Sequence, residues 1–320
     1  MHISVRDWEM PGTGYSEPSR IMRILVIGGS YFFGRWFTQI THKDHDIILL
    51  NRGNLKTDLP GVRELVCDRH DGELLKSYDL SGMDIDVVVD FCAYEKGDIE
   101  GILGNFNRDK PVRYIFISTV DVYKSGSCEP IKEDSPLADG YVSGPQGDYI
   151  RGKVALEREL LEAVGKYGIK GVSVRPCVLY GPLNYAPREN IYFEWIKKAG
   201  QIIHPKDADG YWQMIYVADA AGALLKLCEL PDEEVYEAYN FCTSDRISYD
   251  VFEEALKSPG LSFERADIPV SEVEAGNIPL PFPLRKEESA FYSSERFEGL
   301  WKDNTPLKEG LLRSFNIYNS

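Results

Sequence analysis

The sequence predicts an α/β protein built on a doubly wound parallel sheet, with a smaller C-terminal lobe. Two observations carry this expectation. Residues 22 to 37, MRILVIGGSYFFGRWF, read as a buried strand, a glycine turn and the first turns of a helix. From there to about residue 175, short apolar runs alternate with polar, helix-compatible stretches, the pattern of strands joined by crossover helices. The 320 residues suffice for one large α/β domain, or for a domain with a smaller companion.

The first strand, 23 to 27, is a branched apolar run suited to the centre of a parallel sheet, where both faces are covered. Gly28 and Gly29 let the backbone turn tightly and approach a ligand, while Gly34 lets the helix pack closely on the strand. The helix opens with free N–H groups aimed at that turn, a site for a pyrophosphate. A second strand, 46 to 50, ends at Asn51-Arg52-Gly53, and a third, 64 to 67, ends at Asp68. The fourth is 86 to 92, DVVVDFC, followed by Ala93 and Tyr94, and the fifth is 114 to 118. Residues 124 to 148 form a long polar excursion, 171 to 175 a sixth strand, and 238 to 242 a further one. On such sheets ligands bind beyond the carboxyl ends of the strands, so the residues there carry the most weight.

Charge and cysteine usage narrow the function classes. A net charge of −15 repels nucleic-acid phosphates and anionic lipid, and no run of Lys/Arg overrides it, so neither nucleic acid nor a membrane is expected as a partner. No apolar run approaches the ~18 residues of a membrane span. The six cysteines, at 67, 92, 128, 177, 228 and 242, have no zinc spacing and read as small buried residues of a reducing cytoplasm. No metal site is expected: His42 to His45 and Asp68 to Asp71 read as solvated loops. Residues 1 to 21 are polar, are broken by Pro11, Gly12, Gly14 and Pro18, and lack a signal-peptide core. They read as a loose tail, with Met22 an alternative start.

Two motifs carry chemistry. The fifth strand runs into Ser118-Thr119-Val120-Asp121-Val122-Tyr123. Further on, Tyr149 and Lys153, four apart, share one face of a helix. A phenol with a pKa of about 10 is a poor base at neutral pH. An adjacent ammonium stabilises phenolate and brings it into working range.

Together these residues resemble the extended short-chain dehydrogenase/reductase family, in its NAD-dependent epimerase/dehydratase branch. The turn is similar to G-x-x-G-x-x-G, with Gly28 and Gly34 in place and Tyr31 at the middle glycine; 118 to 123 is similar to S-[ST]-x-x-V-Y. Tyr149, Lys153 and Glu157 match Y-x-x-x-K-x-x-x-E, and 175 to 182 is similar to R-P-x-x-[VL]-Y-G-P. Residues 211 to 230 resemble the family's return to its nucleotide domain, with Gln213 where sugar-nucleotide enzymes often carry Arg. Residues 299 to 311 resemble its closing motif.

The resemblance implies a Rossmann-type domain at 22 to 182 with a return at about 211 to 245, and a smaller α/β substrate lobe from 183 to 210 and 246 to 320. It implies Thr119, Tyr149 and Lys153 as catalytic residues. NAD or NADP would lie against Gly28, Gly29, Ser30, Tyr31, Phe32, Phe33 and Gly34, then Asn51, Arg52, Asp68 and Ala93, and finally Tyr149, Lys153 and Pro176. An acid that would exclude a 2′-phosphate is missing at the second strand's end; Arg52 can pair with that phosphate or serve as a turn residue. Thr119, Asn190 and Arg285 are the implied substrate contacts, with Tyr192, Phe193 and Trp195 on the same side, or forming the apolar face of a lid helix. The implied activity is a nucleotide-sugar epimerase working by transient oxidation. Dehydration is disfavoured, because Val120-Asp121 replaces the Asp-Glu of dehydratases. The alternatives are an NADPH-dependent reductase and a non-catalytic nucleotide- or RNA-associated relative. A homodimer is also implied.

Overall fold

The structure is a computed structural model that describes residues 20–106, 112–138, 144–257 and 261–319. Nearly all of the expected tail, and residues 139 to 143 of the polar excursion, lie outside them. In the first half, β1 (Arg23–Ile27), α1 (Phe32–Thr41), β2 (Asp46–Asn51), β3 (Arg63–Val66) and α2 (Gly72–Ser77) precede β4 (Val87–Asp90), α3 (Asp98–Leu103), β5 (Arg113–Ile117) and α4 (Gly144–Tyr167). Then follow β6 (Lys170–Pro176), β7 (Val178–Tyr180), α5 (Glu189–Ala199), β8 (Gln201–Pro205), β9 (Met214–Tyr216), α6 (Val217–Glu229) and β10 (Ala238–Phe241). The chain closes with α7 (Tyr249–Leu256), β11 (Glu264–Ile268), α8 (Val270–Ala275), α9 (Glu295–Leu300) and α10 (Leu307–Tyr318).

Seven strands form one parallel sheet in the order β10-β6-β5-β4-β1-β2-β3. The sequence order reverses between β1 and β4, and a crevice opens at such a switch point. Residues 24 to 27 of β1 are completely buried because layers cover both faces. On one side Trp36 and Phe37 of α1 share a core with Ala220, Ala221 and Leu224 of α6. On the other, Ile99 and Ile102 of α3 meet Leu156 and Leu160 of α4.

The strands β7, β8, β9 and β11 were not anticipated. These strands pair only two by two, β7 with β9 and β8 with β11. A run such as ERADI in β11 has no apolar period to reveal it. Near them the packing is aromatic: Trp212 stacks on Phe282 with ring centroids 4.2 Å apart, and Tyr192 and Phe252 close around them. Tyr192 and Phe193 are buried in aromatic packing and do not line the cavity described below.

Residues 301 to 310 pack on α6 and β7. A Cβ at Gly222 of α6 would lie 2.3 Å from the Trp301 ring, and one at Gly310 would lie 2.3 Å from the Tyr180 hydroxyl. Between them the Thr305 N–H donates to Asp219 at 2.7 Å. All six cysteines are free. Cys67, Cys228 and Cys242 are buried as expected, whereas Cys92 and Cys177 are half-buried and Cys128 is exposed. His45 departs from the solvated-loop reading: it is buried, and its Nδ1 accepts the Met22 N–H at 3.2 Å.

One buried ion pair joins the elements that carry the sequence motifs. Arg175 of β6 donates to both carboxylate oxygens of Glu157 on α4, to the Tyr123 hydroxyl at 2.7 Å and to the Glu133 carbonyl at 2.9 Å. Glu157 also accepts the Ser118 hydroxyl at 2.6 Å. Breaking a buried pair leaves one charge uncompensated. Glu157→Ala is therefore expected to lose about 3–5 kcal/mol of stability in urea unfolding; a loss under about 1 kcal/mol, the worth of a surface pair, would contradict the burial argument.

Candidate active site

A cavity of about 1190 Å³ follows the carboxyl ends of β1, β2, β4, β5 and β6, reaching from Asn51 and Asp68 to Trp212 and Tyr292. The glycine turn forms one wall. Gly28 has φ +80°, and a Cβ on it would sit 2.8 Å from Cys92 Sγ; a Cβ on Gly34 would sit 2.8 Å from the Gly29 Cα. Ser30, Phe32 and Phe33 line the cavity, and Phe32 has φ +28°, a strained value for a residue with a side chain. Tyr31 takes an ordinary extended backbone and also lines the cavity, its ring edge-on to Tyr185. It needs no left-handed backbone although it replaces a glycine. No side chain caps α1, so its first N–H groups remain for a ligand.

At the end of β2, Asn51 is buried. Its Oδ1 accepts the Gly53 N–H at 2.6 Å, and its Nδ2 has no partner. A buried unpartnered donor on a cavity wall calls for an acceptor from outside the protein. The glycine cradle, the uncapped helix and this donor fit the pyrophosphate and ribose of the dinucleotide that the sequence implies. Arg52, exposed, and Asp68 complete that end. Two expected contacts lie off the wall. A Cβ on Gly29 would meet Val26 at 2.5 Å, so Gly29 packs on the strand, and Ala93 is completely buried.

The three expected catalytic residues all line the cavity, as does Pro176. Lys153 is buried, and its Nζ donates to the carbonyls of Ala93 at 3.0 Å and Ile117 at 2.8 Å. Ala93 thus acts through its carbonyl, one step behind the wall. Burial brings the ammonium down to about 8. Lys153 Nζ stands 5.7 Å from the centre of the Tyr149 ring. Burial first, and then the nearby Asp121 carboxylate, push the Tyr149 phenol well above its usual range. Thr119 Oγ1 donates to Asp121 Oδ2 at 3.0 Å and accepts the Asp121 N–H at 3.2 Å.

The floor beneath is fixed by Arg69, which donates to both oxygens of Asp90 at 2.9 Å and to the Asp98 carbonyl at 2.6 Å.

Neither of the other two implied substrate contacts lines the cavity. Asn190 is the second residue of α5, and its Oδ1 accepts the Arg188 N–H at 2.9 Å. Arg285 is on the surface, forked onto Glu274 at 3.0 and 3.1 Å, a pairing that satisfies it outside the site. Gln213 lines the cavity, but its amide is spent: Nε2 donates to the carbonyls of Thr243 and Tyr292, and Oε1 accepts the Tyr292 N–H. The structure instead brings in Asn184, Tyr185 and Arg188, on the loop after β7. Their one sequence signal is position, just past the Y-G-P motif. That loop is pinned by buried Glu189, which accepts from the Gly181 N–H and from Asn184 Nδ2, both at 2.9 Å. Among the described residues one His/Asp/Glu cluster has metal-like spacing, His204, Asp250 and Glu253, and Arg265 already pairs with both of its acids.

Comparison with known proteins bears on this geometry. The profile of the NAD dependent epimerase/dehydratase family matches residues 24–242. The chloroplast stem-loop binding protein of 41 kDa b from Arabidopsis thaliana is 29% identical, over 96% of this chain and 82% of its own. Among solved structures, the UDP-glucose 4-epimerase of Thermotoga maritima superposes with a TM-score of 0.72 at 18% identity, over 93% of this chain and 99% of that one. The UDP-glucuronic acid 4-epimerase of Bacillus cereus gives 0.72 at 16%, with the same coverage. At these identities the two structures establish the fold.

Burial raises the Glu189 carboxyl to about 7, against the hydrogen bonds that lower it. The folded protein then keeps this proton after the unfolded chain has lost its own, so stability falls as pH rises from about 4.5 to about 7. Glu189→Gln is expected to remove that component, whose slope is at most about 1.4 kcal/mol per pH unit. Urea unfolding across this pH range checks it; an unchanged slope would show that the carboxyl is ionised throughout.

Proposed function

We propose, for a chain that belongs to the NAD dependent epimerase/dehydratase family, that it is an NAD(P)-dependent nucleotide-sugar epimerase of the extended short-chain dehydrogenase/reductase type, acting by transient oxidation of a sugar hydroxyl. The observation that carries this reading is that Thr119, Tyr149 and Lys153 line the same cavity as the Gly28 to Gly34 turn. The turn and the α1 N-terminus would hold the pyrophosphate, Asn51 Nδ2 a ribose oxygen, and Lys153 the nicotinamide ribose. When bound, the nicotinamide accepts a hydride and returns it. Residues 183 to 210 and 246 to 320 would supply the substrate lobe.

The protein's own part is proton management. Tyr149 takes the proton of the sugar hydroxyl as its C–H bond breaks, and burial opposes the phenolate this requires. Lys153 is the cation placed to offset that cost, with its ammonium held by two carbonyls beneath the ring. Thr119 turns its hydroxyl from Asp121 to the substrate oxygen, exchanging one hydrogen bond for another. A ketone that rotates before the hydride returns gives the epimer. Asp121 is a single carboxylate where dehydration needs an acid/base pair, which argues against that branch.

Two other readings each have a specific observation behind them. The unpartnered Asn51 amide and Arg52, with no acid at the end of β2, favour an NADPH-dependent reductase. The Arabidopsis relative carries the name of a stem-loop binding protein, which favours an RNA-associated role; the net charge of −15 opposes it. A cytoplasmic homodimer completes the proposal. No helix among the described residues is long and apolar enough to cross a membrane.

Tyr149→Phe is expected to keep its affinity for NAD and to lose sugar epimerisation by about 10²–10⁴-fold, the usual worth of a positioned acid/base group. The checks are calorimetry with NAD and NADP, and chromatography of UDP-sugars incubated with the loaded protein. Stoichiometric NADPH consumption would replace the epimerase by the reductase. Stem-loop RNA binding that survives Tyr149→Phe, in a protein binding neither dinucleotide, would sink both enzyme readings.

A further inference from the structure

We propose that Arg188 receives the anionic group of the substrate, a phosphate or carboxylate carried by the sugar, beside the reacting hydroxyl. The inference rests on the epimerase reading above and deepens it by naming the charge the site is built to take. It follows from where the cavity's cations stand. Among the described residues that line it, the basic side chains are Arg52, Arg69, His70, Lys153 and Arg188. Arg69 is committed to Asp90 and Asp98, and His70 Nε2 lies 2.8 Å from Asp98. Lys153 is bound between two carbonyls, and Arg52 follows β2 at the adenosine end. Arg188 alone is left for the substrate half.

Its surroundings fit that task. The guanidinium makes one long hydrogen bond, 3.4 Å from Nη1 to the Pro281 carbonyl. An arginine fork so weakly committed can take a phosphate or carboxylate in two parallel hydrogen bonds. Its backbone is fixed on both sides: the N–H donates to Asn190 Oδ1, and the carbonyl accepts the Ile191 N–H at 3.2 Å. The side chain is also close enough to Tyr149 for its charge to ease the phenol's ionisation.

The lining residues 211 to 213 and 281 to 292 offer an anion nothing comparable. Gln213 is committed to Thr243 and Tyr292, and the Tyr211 hydroxyl is committed to Glu129 at 2.7 and 2.8 Å. Glu288 adds a carboxylate there, and Arg285 faces away onto Glu274. A diphosphate laid along those residues would meet negative charge, so the substrate's charge is read from the loop after β7.

The test is calorimetry on the NAD-loaded protein with four probes: UDP-glucose, UDP-glucuronate, glucose 1-phosphate and glucose, for wild type, Arg188→Gln and Arg188→Lys. Arg188→Gln is expected to weaken the charged probes about 10- to 100-fold, the range for losing a charge-assisted hydrogen bond, with NAD affinity unchanged. Arg188→Lys keeps the charge without the fork and falls between. An equal loss for UDP-glucose and glucose 1-phosphate assigns a phosphate; a loss confined to UDP-glucuronate assigns a carboxylate. Charged probes that bind Arg188→Gln within twofold of wild type overturn the proposal, as does a wild type that binds NAD and none of them. Arg188-dependent binding without epimerisation would keep the anchor and remove the epimerase reading.

Discussion

Lys153 stands where β4, β5 and α4 meet, its ammonium bound to one main-chain carbonyl just beyond β4 and another at the end of β5. A buried charge has few ways to be tolerated, and here main-chain oxygens supply the compensation that water would otherwise give. The arrangement requires both strands to end at the correct depth and α4 to cross them in one register. That same register carries Tyr149 to the cavity wall one turn earlier and buries Glu157 one turn later, against Arg175. Site geometry and core geometry are therefore one constraint.

The nucleotide half of the fold was legible in the sequence because its strands are buried on both faces and read as continuous apolar runs. Residues 23 to 27, 46 to 50 and 114 to 118 are found as strands within one residue of expectation. The two small sheets were not, since β7, β8 and β11 are short, paired two by two, and partly polar. The site divides the same way. That Thr119, Tyr149 and Lys153 line one cavity follows the family motifs they match, because a helix face and a strand end fix where they stand. Arg188 and Tyr185 were not legible in this way, because the loop that aims them is shaped by Glu189, a residue with no motif of its own. Arg285 misled for the converse reason: a solitary arginine near the expected place takes the first good carboxylate, and Glu274 supplies it.

The cavity is electrostatically lopsided. Towards the adenosine end, Arg69 and His70 are neutralised by Asp90 and Asp98, which makes them scaffolding for the floor. Farther along, the buried Lys153 ammonium stands near the Tyr149 phenol, whose ionisation the Asp121 carboxylate opposes. Low local dielectric makes each of these neighbours count for more than it would in water. A chain with a net charge of −15 thus keeps its few cavity cations at specific stations.

The docking of Trp301 on Gly222, of Thr305 on Asp219 and of Gly310 under Tyr180 bears on biosynthesis. These contacts close the α6 side of the sheet with residues made some 70 to 90 positions after α6. At roughly 5–20 residues per second, a growing chain spends seconds with that face uncovered. The sheet's seven strands are all made by residue 241, but the outer face of α6 is covered only once residues 301 to 310 have been made.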